Sequence, residues 1–473
     1  MPESEDKKSF QSQKNDKNTL LGSAPVGQLM VKLALPSIVA QVINILYNIV
    51  DRIYIGHIPE AGSLALTGLG ICFPIITLIS AFSAFAGAGG APLAAIELGK
   101  AEFDEKAKNR ALEILGNVVI MIIGFSIILT LVFSIFREPI LLAFGASKNT
   151  LPYASEYLSI YLMGTIFVQI SVGLNPFISC QGFAKTAMIS VILGAVANII
   201  LDPIFIFGFD LGVKGAAIAT IISQGISAIW IIRFLTSKKS ALRLSFKIIR
   251  LKLKVVGKIG SLGISPFIMQ ATESAIFTVF NAGLQKYGGD LYVGSMTIMQ
   301  SIMQMIFVPL SGFTDGVQPI ISYNFGAKKI ERVKSAIRKM LGICFSCSIV
   351  LGVIVPLFPR QIGSIFTSSS ELLDITKQVM PMYFAAVWIF GIQMAAQRTF
   401  VGLGKAKTSL FIALLRKVIL LIPLALILPN FIGVKGIFLA EPIASTTSAI
   451  TSGIFLFFTY KELNKLTEES MQV

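Results

Sequence analysis

The sequence predicts an all-α polytopic membrane protein: twelve transmembrane helices in two six-helix lobes, related by a pseudo-two-fold axis along the membrane normal. Composition, the spacing of apolar runs and a repeat between the halves carry that expectation. Of 473 residues, 54% are hydrophobic and 14% charged, with mean hydropathy +0.77; soluble proteins carry about 25% charged residues. A water-soluble chain of this length would lack the ionic groups to cover its surface, which excludes an ordinary soluble enzyme. Four cysteines are too few for a disulfide scaffold.

A membrane-spanning helix needs about 20 mostly apolar residues. Twelve such runs occur, at 29–55, 62–93, 111–136, 153–180, 185–209, 213–235, 258–284, 291–320, 338–359, 377–401, 407–431 and 433–460. The second run holds Pro74, Gly87, Gly89, Gly90 and Pro92, which predict a bent or broken end. Residues 1–24 are polar, charged and poor in aromatics, and read as a disordered cytoplasmic tail. The N-lobe is expected over 25–237, a basic cytoplasmic linker over 238–257, the C-lobe over 258–460 and a second cytoplasmic tail over 461–473.

The net charge of +15 raises the question of nucleic acid, and the placement of the bases answers it. With the N-terminus in the cytoplasm, 30 Lys and Arg fall on the cytoplasmic side and 8 on the other, while Arg416 and Lys417 lie within the eleventh run. This is a positive-inside pattern. It predicts a multi-pass plasma-membrane protein with both termini cytoplasmic, in contact with anionic lipid and not with nucleic acid. A monomer is expected.

The halves repeat. GGAPLAAIELGKAEFDEKAK at 89–108 matches DGVQPIISYNFGAKKIERVK at 315–334, with Pro92 over Pro319 and Gly99 over Gly326. Phe144 and Tyr161 fall over Phe366 and Tyr383, GFAKT at 182–186 over GKAKT at 404–408, and GVKG at 212–215 over GVKG at 433–436. The order is collinear. Six spans separate equivalent positions, so both halves share one orientation, and two such lobes enclose a central cavity open to alternating access.

An acid in mid-membrane costs about 2.5–3.5 kcal/mol on insertion scales and marks a functional site by default. Asp51 lies late in the first span, Asp202 late in the fifth and Glu273 midway along the seventh. At about 1.5 Å per residue, Asp51, Asp202 and Thr220 of the sixth span reach similar depth. Gln41, Asn44, Asn48 and Asp51 form one polar stripe. Tyr47 sits one turn from Asp51, and Asn198 one turn from Asp202. Two carboxyls in low dielectric resist double ionisation, so such a pair can exchange a proton or bind Na⁺ through hard oxygens. Gln270 accompanies Glu273, and Met296, Met299, Met303 and Met305 line the eighth span, where methionine tolerates varied apolar ligands or simply fills a core. Glu441, Asp315 and Glu113 read as structural acids; Glu441 has Arg416 or Lys417 within reach. Cys344 and Cys347 form C-x-x-C inside an apolar helix with no histidine nearby, which argues against metal or redox chemistry. Neither a catalytic constellation nor a phosphate loop is present. No enzyme activity, cofactor or resident metal is expected, beyond Na⁺ at Asp51, Asn198 and Asp202.

NILYNIVDRIYIGHI at 44–58, NIILDPIFI at 198–206, GAAIAT at 215–220, SYNFGAKK at 322–329 and the paired G-x-A-K-T segments together resemble the multidrug and toxic compound extrusion (MATE) family. The resemblance runs from Gln28 to Tyr460. It implies an antiporter that expels bulky, often cationic drugs against entering H⁺ or Na⁺. It also implies an N-lobe ion site at Asp51, Asn198 and Asp202, with Tyr47 and Thr220 as further members. Pro36 matches a proline at which the first helix bends in some members, and Glu273 an acid that some members use. Other members carry an acid in the tenth helix, whereas residues 380–397 here offer only Gln393 and Gln397. The coupling-ion set is therefore Asp51, Asp202, Asn198, Tyr47 and Thr220. The substrate cavity is expected at Glu273, Asn44, Asn48, Gln270, Met299 and Met303. The alternatives are a flippase for a lipid-linked saccharide, which would need several cationic residues facing the cavity, and a membrane prenyltransferase, which would need clustered acids.

Overall fold

A computed structural model of the chain describes residues 20–59, 62–366 and 369–471. The N-lobe spans are Val26–Gly56, Gly62–Lys100, Glu105–Ile135, the bent pair Leu151–Met163 and Thr165–Ser179, Ala184–Pro203 with its wide-turn extension Ile204–Gly208, and Gly212–Thr236. The C-lobe spans are Leu253–Tyr287, Asp290–Gly326, Ile330–Leu357, the bent pair Ser370–Tyr383 and Val387–Gly402, Ala406–Leu414 continuing through a wide turn at Leu415–Leu421, and Val434–Met471. Among the described residues nine helices are long and apolar enough to cross a membrane, and the two bent pairs bring the number to eleven. Leu253–Tyr287 is the twelfth by length, at about 50 Å against the ~30 Å of a hydrocarbon core.

The neighbours of each span recur six spans later. In the N-lobe the first packs on the fifth, the second on the third and fourth, and the fourth on the sixth. In the C-lobe the seventh packs on the eleventh, the eighth on the ninth and tenth, and the tenth on the twelfth. Between the lobes the second meets the seventh and the first meets the eighth. That exchange is what a two-fold axis requires.

Lipid removes the hydrophobic drive for helices to associate, so close backbone packing through small residues replaces it. A Cβ at Gly89 would overlap the Ile259 carbonyl, and one at Gly263 would overlap that of Phe85; Gly312 and Gly316 rest on the backbone of Ile38 and Ala34. These contacts lie toward the face where the described residues begin and end. There Lys329 pairs with Glu102 at 2.7 Å, and Tyr323 donates to Glu102 at 3.0 Å. The lobes are thus shut against each other on that face.

One sequence expectation needs correction. The second span is not broken: Gly62–Lys100 is one continuous helix. Its glycines admit neighbours, Gly87 meeting Gly173 and Gly90 meeting Val118, and a membrane helix tolerates Pro74 and Pro92 when neighbours satisfy the freed groups. The breaks fall instead in the fourth span at Gly164, by 60°, and in the tenth between Tyr383 and Val387, by 52°.

Of the expected N-terminal tail, residues 1–19 lie outside the described residues. Leu21 is buried with its side chain beside Gly182 of its own lobe, while Asn324 and Arg332 of the opposite lobe donate to its carbonyl. The twelfth helix continues to Met471 where a second tail was expected, held by the Lys405–Glu462 ion pair and by Leu463, which is buried. Outside the membrane, Asp104 caps the third span by accepting from the Lys106 backbone N–H at 2.9 Å. The Arg110 guanidinium beside it holds its carboxyl below the usual carboxylate range.

Candidate functional site: a buried carboxyl pair and a paired-charge cluster

The polar stripe of the first helix divides its work along its length. Gln41, nearest the shut face, reaches across the lobes to Asp315 at 3.5 Å. Asn44 and Asn48 are exposed, and the Asn48 amide donates to the Asn44 side chain at 3.0 Å. Asp51 turns back into its own lobe, where it is 8% exposed. Residues 41, 44, 48 and 51 fall within about a quarter-turn of the helix, so one stripe serves both the inter-lobe space and the lobe interior. Pro36 lies buried inside the first helix, which runs unbroken from Val26 to Gly56.

Asp51 meets Asp202, which is fully buried, and the two carboxyls lie within hydrogen-bonding reach of each other. Asn198, one turn earlier on the fifth helix, donates to Asp202 Oδ1 at 3.0 Å. Tyr47 reaches Gln224, and Gln224 accepts from Ser171 at 2.6 Å. Thr220 donates to the Ala216 carbonyl at 2.9 Å, and Tyr157 lies within hydrogen-bonding reach of it. Three oxygens of this cluster, Asp51 Oδ1, Asn198 Oδ1 and Asp202 Oδ2, are buried with no hydrogen-bond partner among the described residues. Buried polar atoms of this kind are rare and need a reason. Neither acid forms an ion pair with Lys or Arg among the described residues. Two acids and an amide oxygen supply hard ligands suited to a proton or an alkali cation.

The C-lobe is built differently. Lys417 lies 2.6 Å from Glu273, and Arg416 lies 2.7 Å from Glu441. Ser445 also donates to Glu441, at 3.0 Å, and Arg416 stacks over the Phe390 ring at 5.0 Å. Sequence reasoning offered Glu441 either base; the geometry gives it Arg416 and gives Lys417 to Glu273. The structural acids Glu113 and Asp315 pair with Lys252 at 2.6 Å and Arg398 at 2.7 Å. Glu273 is exposed and Gln270 half-buried. Met303 lines a small cavity with Tyr383, Phe390 and Glu441. Met299 is wholly buried in the core.

The repeat explains the asymmetry. The connection after the first span, 57–61, is three residues longer than its counterpart at 288–289. Pro36 therefore falls over Pro266, and Asp51 over Asn281. With the register of the paired G-x-A-K-T segments, Asp202 falls over Leu424. The C-lobe lacks both acids of the N-lobe pair, and its own charges sit about two turns from those positions along the seventh and eleventh helices.

A family model described as MatE matches residues 36–204 and 266–427, one copy in each lobe. The chain belongs to the MatE family, the multidrug and toxic compound extrusion transporters. Among curated relatives it is similar to the multidrug export protein MepA of Staphylococcus aureus strain NCTC 8325 / PS 47, at 24% identity over 455 residues, covering 95% of this chain and 97% of the relative. MepA of Staphylococcus saprophyticus is 25% identical over 428 residues, covering 90% and 93%. Among solved structures, a MATE transporter in the bent conformation superposes with TM-score 0.86 at 21% identity, covering 96% of this chain and 99% of that one. An outward-facing multidrug resistance MATE transporter gives TM-score 0.85 at 22% identity, covering 95% and 99%.

Within this MatE fold the fourth span supplies what sequence reasoning missed at the site. Tyr157 and Tyr161 stack with centroids 6.1 Å apart, and both are buried in the N-lobe, Tyr157 beside Thr220. Their spacing of four, which puts both rings on one helix face, was the available signal.

Proposed function

We propose that this transporter is a secondary antiporter that exports bulky organic, often cationic, compounds in exchange for H⁺ or Na⁺. The observation that carries the reading is the contact between Asp51 and Asp202, with three unpartnered oxygens around it. A carboxyl pair without a counter-base is unstable as two anions in low dielectric and is relieved by a proton or a metal cation. Ion entry from the outer side would neutralise the pair and let the fifth and first helices draw together. Pro36, which breaks the helical ladder, is where the first helix would then bend and narrow the drug space beside Asn44 and Asn48. Loss of the ion toward the cytoplasm would reverse the change.

The relatives named multidrug export proteins support small-molecule cargo, and the 35 phenylalanines of the chain suit contact with organic cations. The excess of Lys and Arg in the connections on one side supports a multi-pass membrane protein with both ends cytoplasmic, in contact with anionic lipid. Lipid-linked saccharide transport is the weaker reading, because both embedded bases, Arg416 and Lys417, are already paired.

The test uses proteoliposomes with separately imposed proton and sodium gradients and a fluorescent organic cation. Asp202→Asn should abolish gradient-driven efflux while protein remains in the membrane. Undiminished efflux rejects the site, and efflux indifferent to both gradients rejects antiport.

A further inference from the structure

The wide turn at Leu415–Leu421 buries two adjacent bases, Arg416 and Lys417, in the eleventh span. Such turns are rare and gather at functional sites. The two bases are held differently. Arg416 and Glu441 are 6% and 10% exposed, with Ser445 and Phe390 completing their surroundings, so that pair is closed. The second pair is lopsided: the Lys417 side chain is 10% exposed, whereas that of Glu273 is 48% exposed. Glu273 thus presents an open carboxylate edge whose other side is neutralised by a buried ammonium. Tyr383 stands near both Glu273 and Glu441 from the tenth span.

We propose that Lys417 is a tethered stand-in for the organic cation. It pairs with Glu273 while the cavity is empty, yields the carboxylate to an entering cationic substrate, and takes it back on release. This rests on the reading of the chain as an exporter of organic cations. Without Lys417, departure of the cargo would leave a bare carboxylate in an apolar span, an expensive state, and the empty carrier would hold its cargo instead. A lysine suits the task, because its single charge rides on a flexible four-carbon stem. Arg416, locked between Glu441 and Phe390, cannot substitute.

The experiment measures binding and efflux of tetraphenylphosphonium by the full-length protein. Lys417→Gln should tighten binding about five- to tenfold while slowing efflux, so that KM and kcat fall together. Lys417→Arg keeps the charge and the fold but grips Glu273 through a two-pronged guanidinium, and should weaken binding several-fold. Glu273→Gln should weaken binding and remove what Lys417 competes for, so the tightening produced by K417Q should be several-fold smaller in the E273Q background than in the parent. The proposal fails if K417R binds like the parent, if K417Q does not tighten binding, or if K417Q tightens it equally in the E273Q background. Failure of the antiport reading shows separately, as ion-independent efflux or as intact coupling in Asp202→Asn.

Discussion

Gly99 and Gly326 occupy the same place in the two halves of the sequence, and each packs against the other's helix. A Cβ at Gly99 would overlap the carbonyl of Tyr323, and one at Gly326 would overlap that of Ile96. The two-fold relation is therefore present in the contact that closes the terminal face. Lys328, which stacks over Phe103 at 5.2 Å, lies beside it.

Gly99→Val should wedge this seam apart, since overpacking a backbone contact costs about 1–3 kcal/mol. Cysteines placed at Phe103 and Lys328 should cross-link efficiently in the parent and several-fold less in the valine variant. Equal cross-linking would mean the seam tolerates the added bulk.

Asn198→Ala removes the donor to Asp202, a hydrogen bond to a charged group worth about 1.5–3 kcal/mol. The proton concentration needed for half-maximal proton-driven efflux should fall about tenfold or more, because the free carboxylate loses its donor, whereas the sodium concentration needed should rise, because Asn198 Oδ1 is lost as a ligand. Titrating efflux against proton or sodium concentration checks it.

Glu441→Gln strands the Arg416 guanidinium, which is 6% exposed. Breaking a buried pair from one side costs about 3–5 kcal/mol, so the thermal midpoint of the detergent-solubilised protein should drop. Adding Arg416→Met should recover much of the loss, because the unpaired charge is gone. A further drop on adding it would show that Arg416 stabilises through contacts other than Glu441.

Arg332→Ala should free Leu20–Ala24, whose carbonyls it holds at 3.1 Å from Leu21 and 2.6 Å from Ala24. Amide exchange in that segment should quicken by about tenfold or more, because local opening loses its anchor. Transport-site variants such as Asp202→Asn should leave that exchange unchanged.

Much of the fold was legible because the bilayer imposes length and apolarity on every span, and because the repeat left collinear markers such as Pro92 over Pro319. The glycines of the second span misled for a physical reason. In soluble chains glycine and proline mark breaks, whereas between membrane helices glycine permits contact, and Gly89 does so against Ile259. The true breaks at Gly164 and before Val387 carry little local signal; the first has a lone glycine and the second only Pro381, two residues before its helix ends. The candidate ion site was readable from depth, since Asp51, Asp202 and Thr220 sit at countable distances from span ends. Partner choice among Arg416, Lys417, Glu273 and Glu441 was not, because it depends on a wide helical turn that no composition rule announces.

The clasp on Leu21 and Ala24 has an outcome of its own. The stretch that leads into the first lobe is fastened to Asn324 and Arg332 of the second. If the lobes swing, this strap must either unhook or be carried along by the half it does not belong to. A probe attached beside Leu20 would report which of the two happens.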